Sequence, residues 1–183
     1  MKFIKFTATL AALSSSAILL TGGSAIAQTA PIIAGYGAAP AVENLANAPD
    51  PQLRYKVVFE VTRDGGEDAA VNPGLDRVAR FINLLARSGV RPAPGDVVVV
   101  IHGAATPAVY SAETHRDQFN RENPNAALIA ALQAAGVDVH VCGIALANRK
   151  VEPSQVLPGV SVDVAAMITL ANLQLRGWAL LEG

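Results

Sequence analysis

An α/β domain on a mostly parallel sheet of about five strands, with helices on both faces, is what residues 55–183 predict. Three observations carry that expectation. From residue 55 the chain alternates strand-like runs with single helical runs, the pattern of parallel strands joined by crossover helices. Val97-Val98-Val99-Val100-Ile101 is apolar at every position, as a strand covered on both faces should be. Two strand ends carry a reactive side chain followed by glycine, Ile101-His102-Gly103 and Val141-Cys142-Gly143. A parallel sheet brings such ends to one edge, where open α/β sheets bind their ligands.

Each element has its own signal. Tyr55-Lys56-Val57-Val58-Phe59-Glu60-Val61 is β-branched and aromatic, so it reads as the first strand. Leu75, Val78, Ile82 and Leu85 recur at helical spacing, with Asn72-Pro73 before them as the start and Gly89 after them as the stop. Residues 97–101 form the second strand. Residues 111–123 are polar and read as a lid, with His115 a solvated surface residue and Glu113, Asp117 and Glu122 a wet face. Asn123 is expected to cap the next helix with Pro124 at its first position, Leu128, Ala131, Leu132 and Ala135 as its inner stripe, and Gly136 as its end. Residues 137–142 are the third strand, handing Cys142 to a loop. Residues 148–157 are polar, and Pro153 and Pro158 limit any helix there to a short piece. Residues 160–162 read as a brief strand. Ser161 or Asp163 then caps a helix whose inner stripe is Val164, Met167, Ile168, Ala171 and Leu175. Gly177 stops it, and Trp178-Ala179-Leu180-Leu181 is the last strand.

The ends bound the setting. Lys2 and Lys5, the apolar run 7–20 and Ala25-Ile26-Ala27 read as a cleavable signal peptide over residues 1–27. The run is short for a span of about 20 residues, and Gly22-Gly23-Ser24 breaks it, so no stable membrane insertion is expected after cleavage. Residues 28–54, rich in Ala, Pro, Gly and Asn, read as an extended arm that docks on the domain or on a neighbouring subunit. Gly35-Tyr36-Gly37 follows no strand and opens no helix, so it is not a dinucleotide fingerprint. With Lys2 and Lys5 removed, the 14 basic residues fall to 12 against 15 acidic ones. That mild acidity argues against nucleic acid or an anionic membrane as partner. Export implies an oxidising compartment, with the periplasm expected. The chain has one cysteine, so any disulfide would join two molecules.

Cys142 is therefore either a small core side chain or a working sulfur. A helix start or a basic side chain nearby favours the nucleophilic thiolate, and Arg149 and Lys150 follow closely. His102 is a hydrogen-bonded structural residue or a base. Gly103 and Gly143 allow sharp turns and close approach of a ligand. His140 and Cys142 share a strand face and, with His102, could offer nitrogen and sulfur to a metal, although a fourth ligand is lacking and no metal site is assigned. A hydrolase dyad of Cys142 and His102 lacks an orienting partner. No Gly-x-Ser-x-Gly, Gly-x-x-x-x-Gly-Lys or CxxC motif occurs.

Asn123-Pro124-Asn125, Leu128-Ile129, Leu132, Ala135-Gly136-Val137 and Val141-Cys142-Gly143 together resemble the DsrE/DsrF-like sulfur-relay family. The resemblance extends upstream through residues 55–59, 75–83 and 100–105, and downstream through 157–160 and 173–180. The arm around Tyr36-Gly37 is similar to that of secreted, periplasmic members. It implies a three-layer α/β/α, flavodoxin-like domain with a five-stranded sheet, assembled into trimers or hexamers. It further implies that Cys142 accepts sulfane sulfur as a persulfide and passes it to a thiol-containing partner protein or small sulfur compound, with no cofactor. His102 lies nearby as a possible polariser. Ile144 stands where many relatives carry glutamine, which removes a polar neighbour of the sulfur. The alternatives from the residues alone are a non-catalytic assembly module with a structural cysteine and, behind it, a His/Cys metal site.

Overall fold

A computed structural model describes Met1 and residues 30–66 and 71–183 of the chain. The leader expected over residues 1–27 lies, apart from Met1, outside the described residues. Five strands are present among the described residues: β1 Val57–Val61, β2 Val97–Ile101, β3 Asp138–Cys142, β4 Ser161–Asp163 and β5 Ala179–Glu182. They form one sheet in the order β4-β3-β2-β1-β5, and every pairing is parallel. The sheet is thus wholly parallel, and the connections travel one way from β1 to β4 before β4 returns across it to β5.

The helices are α1 Pro73–Arg87, α2 Ala112–Phe119, α3 Ala126–Ala134, α4 Gly143–Asn148 and α5 Ala166–Leu175. The α1 cap is as expected. Asn72 Oδ1 accepts from the Gly74 and Leu75 amides, satisfying two donors that the helix leaves open. Leu75, Val78, Ile82 and Leu85 are all buried. Leu75, Val78 and Ile82 pack with Leu128, Ile129 and Leu132 of α3 against the face of the sheet that presents Val57, Phe59, Val97, Val99, Val139 and Val141. Each such side chain contributes about 1.5–3 kcal/mol by leaving water. The other face presents Val58, Val98, Val100 and Cys142, covered by Ala166 and Leu170 of α5, by Ala165 just before it and by Ala145 of α4.

The arm lies on its own domain. Asn83, buried in the middle of α1, donates to the Ile33, Tyr36 and Gly37 carbonyls and accepts from the Ile33 amide. One side chain thereby satisfies four backbone groups of a segment with no secondary structure of its own. Ile33 is pulled into the core at 1 % exposure. At the opposite, amino edge, Arg54 holds Asp96 in a forked ion pair at 2.8–3.0 Å.

Several expectations need correction. Residues 112–119 are helical, with Ser111 as the cap and Asn120 in the left-handed conformation at the end. Asn123 is not a helix cap. Its Oδ1 accepts from the Asn125 amide in a local turn, its Nδ2 donates to Ala108 and Tyr110 carbonyls, and α3 starts only at Ala126. Cys142 hands over to α4 and not to a loop. Residues 103–109, for which the sequence predicts no element, form a 3₁₀ segment. The α5 cap is Ala165, with no side-chain bond, because Asp163 is engaged elsewhere. The expected inner stripe of α5 faces outward, with Val164 80 %, Met167 72 % and Leu175 87 % exposed. Ala166 and Leu170 are buried in its place.

Candidate functional site

Parallel register builds the candidate site. Ile101 pairs with Val141, so the next residues, His102 and Cys142, stand side by side where β2 and β3 end. Cys142 pairs with Asp163 of β4. Register partners point to one face, so His102, Cys142 and Asp163 lie along the same edge of the thinly covered face. One step back on that face stand Glu60, Val100 and His140.

Two imidazole–carboxylate pairs run diagonally between these rows. His102 Nε2 meets Glu60 Oε1 at 2.9 Å, and His140 Nδ1 meets Asp163 Oδ2 at 2.9 Å. Thr169 on α5 donates to the same Asp163 oxygen at 2.6 Å. A carboxylate accepts, so the facing ring nitrogen carries the proton and the other nitrogen of a neutral ring keeps its lone pair. Thus β1–β2 and β3–β4 each hold one oriented imidazole, and Cys142 lies between them.

Cys142 itself is 8 % exposed and packs with Val98, Val100, Ala145 and Ala165. No hydrogen bond to its sulfur occurs among the described residues. Arg149 curls back over α4, donating to the Gly103 carbonyl at 2.7 Å and to the Ala145 carbonyl at 3.4 Å. Its guanidinium is therefore tied to the turn that follows His102. Lys150 is exposed, at the end of the α4 turn.

The two glycines have packing reasons of their own. A Cβ on Gly143 would come within 2.6 Å of the Asp163 carbonyl, and one on Gly103 would meet the Thr62 carbonyl at 3.1 Å with φ at +59°. At Gly143 the strand ends meet too closely for a side chain, and at Gly103 the contact is tight and the left-handed backbone favours glycine. The metal trio does not form. His102 and His140 are each committed to a carboxylate, and no three His, Cys, Asp or Glu side chains gather as metal ligands among the described residues. Glu122 pairs with Arg116 on the surface, as a wet face would.

His115 was expected at the surface and is instead 4 % exposed, its Nδ1 2.9 Å from the Arg121 carbonyl and its ring 4.8 Å from Phe119. It lines a cleft of about 470 Å³ at the carboxyl edge, together with Asn72, Asn125, Phe119, Arg121 and Asp64. Cys142 does not line that cleft. The one sequence signal for a buried His115 is Phe119 four residues on, which places both rings on one face of α2.

The family model described as DsrE/DsrF-like matches residues 56–182. A search of curated proteins finds no match. Among solved structures, a protein of unknown function from Methanobacterium thermoautotrophicum, MTH1491, aligns at 19 % identity with TM-score 0.53, over 70 % of this chain and 99 % of its own. The ychN protein of E. coli aligns at 16 % identity with TM-score 0.48, over 70 % and 99 % of the two chains. The MTH1491 likeness shows the fold. Among the described residues no helix is long and apolar enough to cross a membrane.

Proposed function

The chain belongs to the DsrE/DsrF-like family, and from that premise we propose that it is a periplasmic sulfur carrier that holds sulfane sulfur as a persulfide on Cys142. The observation that carries this reading is the position of the lone thiol, in register beside His102 at the carboxyl edge of the sheet. The chemistry needs only one thiol. The Cys142 thiolate attacks the outer sulfur of a donor persulfide or polysulfide. A new S–S bond forms as the donor's S–S bond breaks, and the donor leaves as a thiolate. An acceptor thiolate then attacks the outer sulfur, and Cys142 leaves as a thiolate. No net oxidation occurs in either step. His102, oriented by Glu60, polarises the sulfur or relays its proton, and Arg149 supplies nearby positive charge. Gly103 and Gly143 let the incoming sulfur compound approach the backbone.

The partner is a thiol-containing protein or a small sulfur compound, and the carrier is a homo-oligomer, a trimer or hexamer. Exposed Ile144, Val164, Met167 and Ile168 around the Cys142 edge support an assembled state, since apolar clusters of this kind mark interaction surfaces. The leader expected from the sequence over residues 1–27 supports export. Purified protein treated with polysulfide should gain about 32 Da, one sulfur atom, by intact mass. Cys142→Ser should abolish the gain while keeping the circular dichroism spectrum. A wild-type protein that never acquires the added mass sinks the proposal.

A second reading rests on the 8 % exposure of Cys142 and its apolar neighbours: the cysteine is core packing, and the oligomer face is the functional part. Thiol labelling separates the two. Labelling of native protein at the rate of a free thiol supports the carrier, whereas labelling only on unfolding supports the assembly module.

A further inference from the structure

The cleft beside His115 carries an inference independent of Cys142. Its volume, about 470 Å³, suits a small molecule. Two polar side chains that line it are more than nine-tenths buried, and each has one group without a hydrogen-bond partner among the described residues. His115 Nδ1 faces the Arg121 carbonyl. A carbonyl only accepts, so Nδ1 carries the proton and a neutral ring leaves its lone pair on Nε2. Asn125 is 7 % exposed, and its Oδ1 accepts from the Asn72 amide at 2.7 Å. A backbone N–H only donates, so the side-chain amide is fixed with its Nδ2 hydrogens turned the other way. No described residue takes them. Among the described residues, the enclosed and unpartnered polar side-chain atoms are the Tyr110 hydroxyl and Trp178 Nε1. The free nitrogens of His115 and Asn125 are therefore not sealed, and the space they line is the cleft.

We propose that this cleft binds a small, flat, uncharged molecule carrying an amide-like edge, a donor for His115 Nε2 beside an acceptor for Asn125 Nδ2. One carboxylate, Asp64, and one guanidinium, Arg121, line the cleft, so its walls favour no single sign of charge and suit a neutral ligand. Asp64 is also used to hold the Gly66 amide at 3.4 Å. The wall is apolar, with Phe119 still 42 % exposed and Pro124 beside it. An aromatic face and a proline accept a planar body. A ligand that pairs both groups replaces the hydrogen bonds they would otherwise make with water in the cleft, and one that reaches the site without pairing them loses those bonds.

The test uses the full chain and benzamide as probe, followed by amide chemical-shift titration and ligand-observed saturation transfer. Benzamide should bind with shifts centred on Phe119 and Asn125. N,N-dimethylbenzamide, which lacks the donor, and benzoate, which replaces it with charge, should each bind roughly tenfold more weakly. Asn125→Asp keeps the oxygen that holds the Asn72 amide but removes the Nδ2 hydrogens, and His115→Phe keeps the ring. Each should weaken benzamide roughly tenfold. Cys142→Ser should leave it unchanged, so the outcome does not depend on sulfur chemistry. The proposal is overturned by no benzamide binding up to about 10 mM, by benzoate binding as well as benzamide, or by affinity indifferent to Asn125→Asp in a protein whose spectrum shows it folded.

Discussion

The two faces of the sheet are built for different purposes. On one, α1 and α3 seal Val57, Phe59, Val97, Val99, Val139 and Val141 under a continuous apolar layer, with Tyr110 and Leu132 at 0 % exposure. On the other, α5 covers Val58, Val98 and Val100 with Ala145 of α4 and Trp178 beside it, and the remaining positions are Glu60, His102, His140, Asp163 and Cys142. A sheet needs one sealed face to be stable. The second face can then hold ionisable groups at its rim, with each imidazole oriented by a carboxylate, at little cost to the core. The apolar outer side of α5 shows that this second face is finished differently, with its hydrophobic residues turned away from the sheet.

The comparison is broken most directly by emptying each face in turn. Phe59→Ala removes a ring that is 1 % exposed and packs edge-on against Phe81 at 5.4 Å, and should cost about 3–5 kcal/mol in urea unfolding. Leu170→Ala, on the thin face and 8 % exposed, should cost less, about 2 kcal/mol. Equal losses would mean that the thin face bears as much of the stability as the sealed one.

A smaller effect separates both faces from the amino edge. The hydrogen bond from Arg54 holds the Asp96 carboxyl below its ordinary range, against the opposing effect of burial. A group with a lowered folded-state pKa contributes stability above the ordinary carboxyl value of about 3.9, and that contribution is lost as pH falls through the lower folded value. Asp96→Asn should therefore lower stability at pH 7 and flatten its decline in acid, as read from thermal melts across that range. A decline unchanged in the variant would remove Asp96 from the acid response.

The smallest effect lies inside the sealed face. The Tyr110 hydroxyl is enclosed without a partner among the described residues, and burial raises its pKa, partly offset by Arg149. Tyr110→Phe deletes an unpaired polar atom, so the change should be within about 0.5 kcal/mol of zero or slightly stabilising. A loss well beyond that would reveal a hidden partner for the hydroxyl.

Much of this was readable along the chain, and the misses have physical causes. The five strands, α1 with its Asn72 cap, α3 and α5 all announce themselves by period and by flanking Gly, Pro and Asn. α4 has six residues, too few for a period, and the 3₁₀ segment contains Pro107. α2 is polar on most of its surface, so it read as a lid, and His115 read as solvated with it. Asn123 before Pro124 imitates a helix start, while its side chain serves two carbonyls fifteen and thirteen residues back. Those partners are distant in sequence, and no local rule could show them.

The sequence by itself determined the alternation, the apolar strands, the position of Cys142 and His102 at two strand ends, and the resemblance to a family, because these depend on local order. Only the tertiary structure decided which way the α5 stripe faces, that His102 and His140 bind Glu60 and Asp163, that the arm lies on α1, and that His115 enters a cleft. A period fixes that a stripe exists, but the direction it faces depends on what else the chain brings there. Pairings across strands depend on register, which is set when the whole sheet closes.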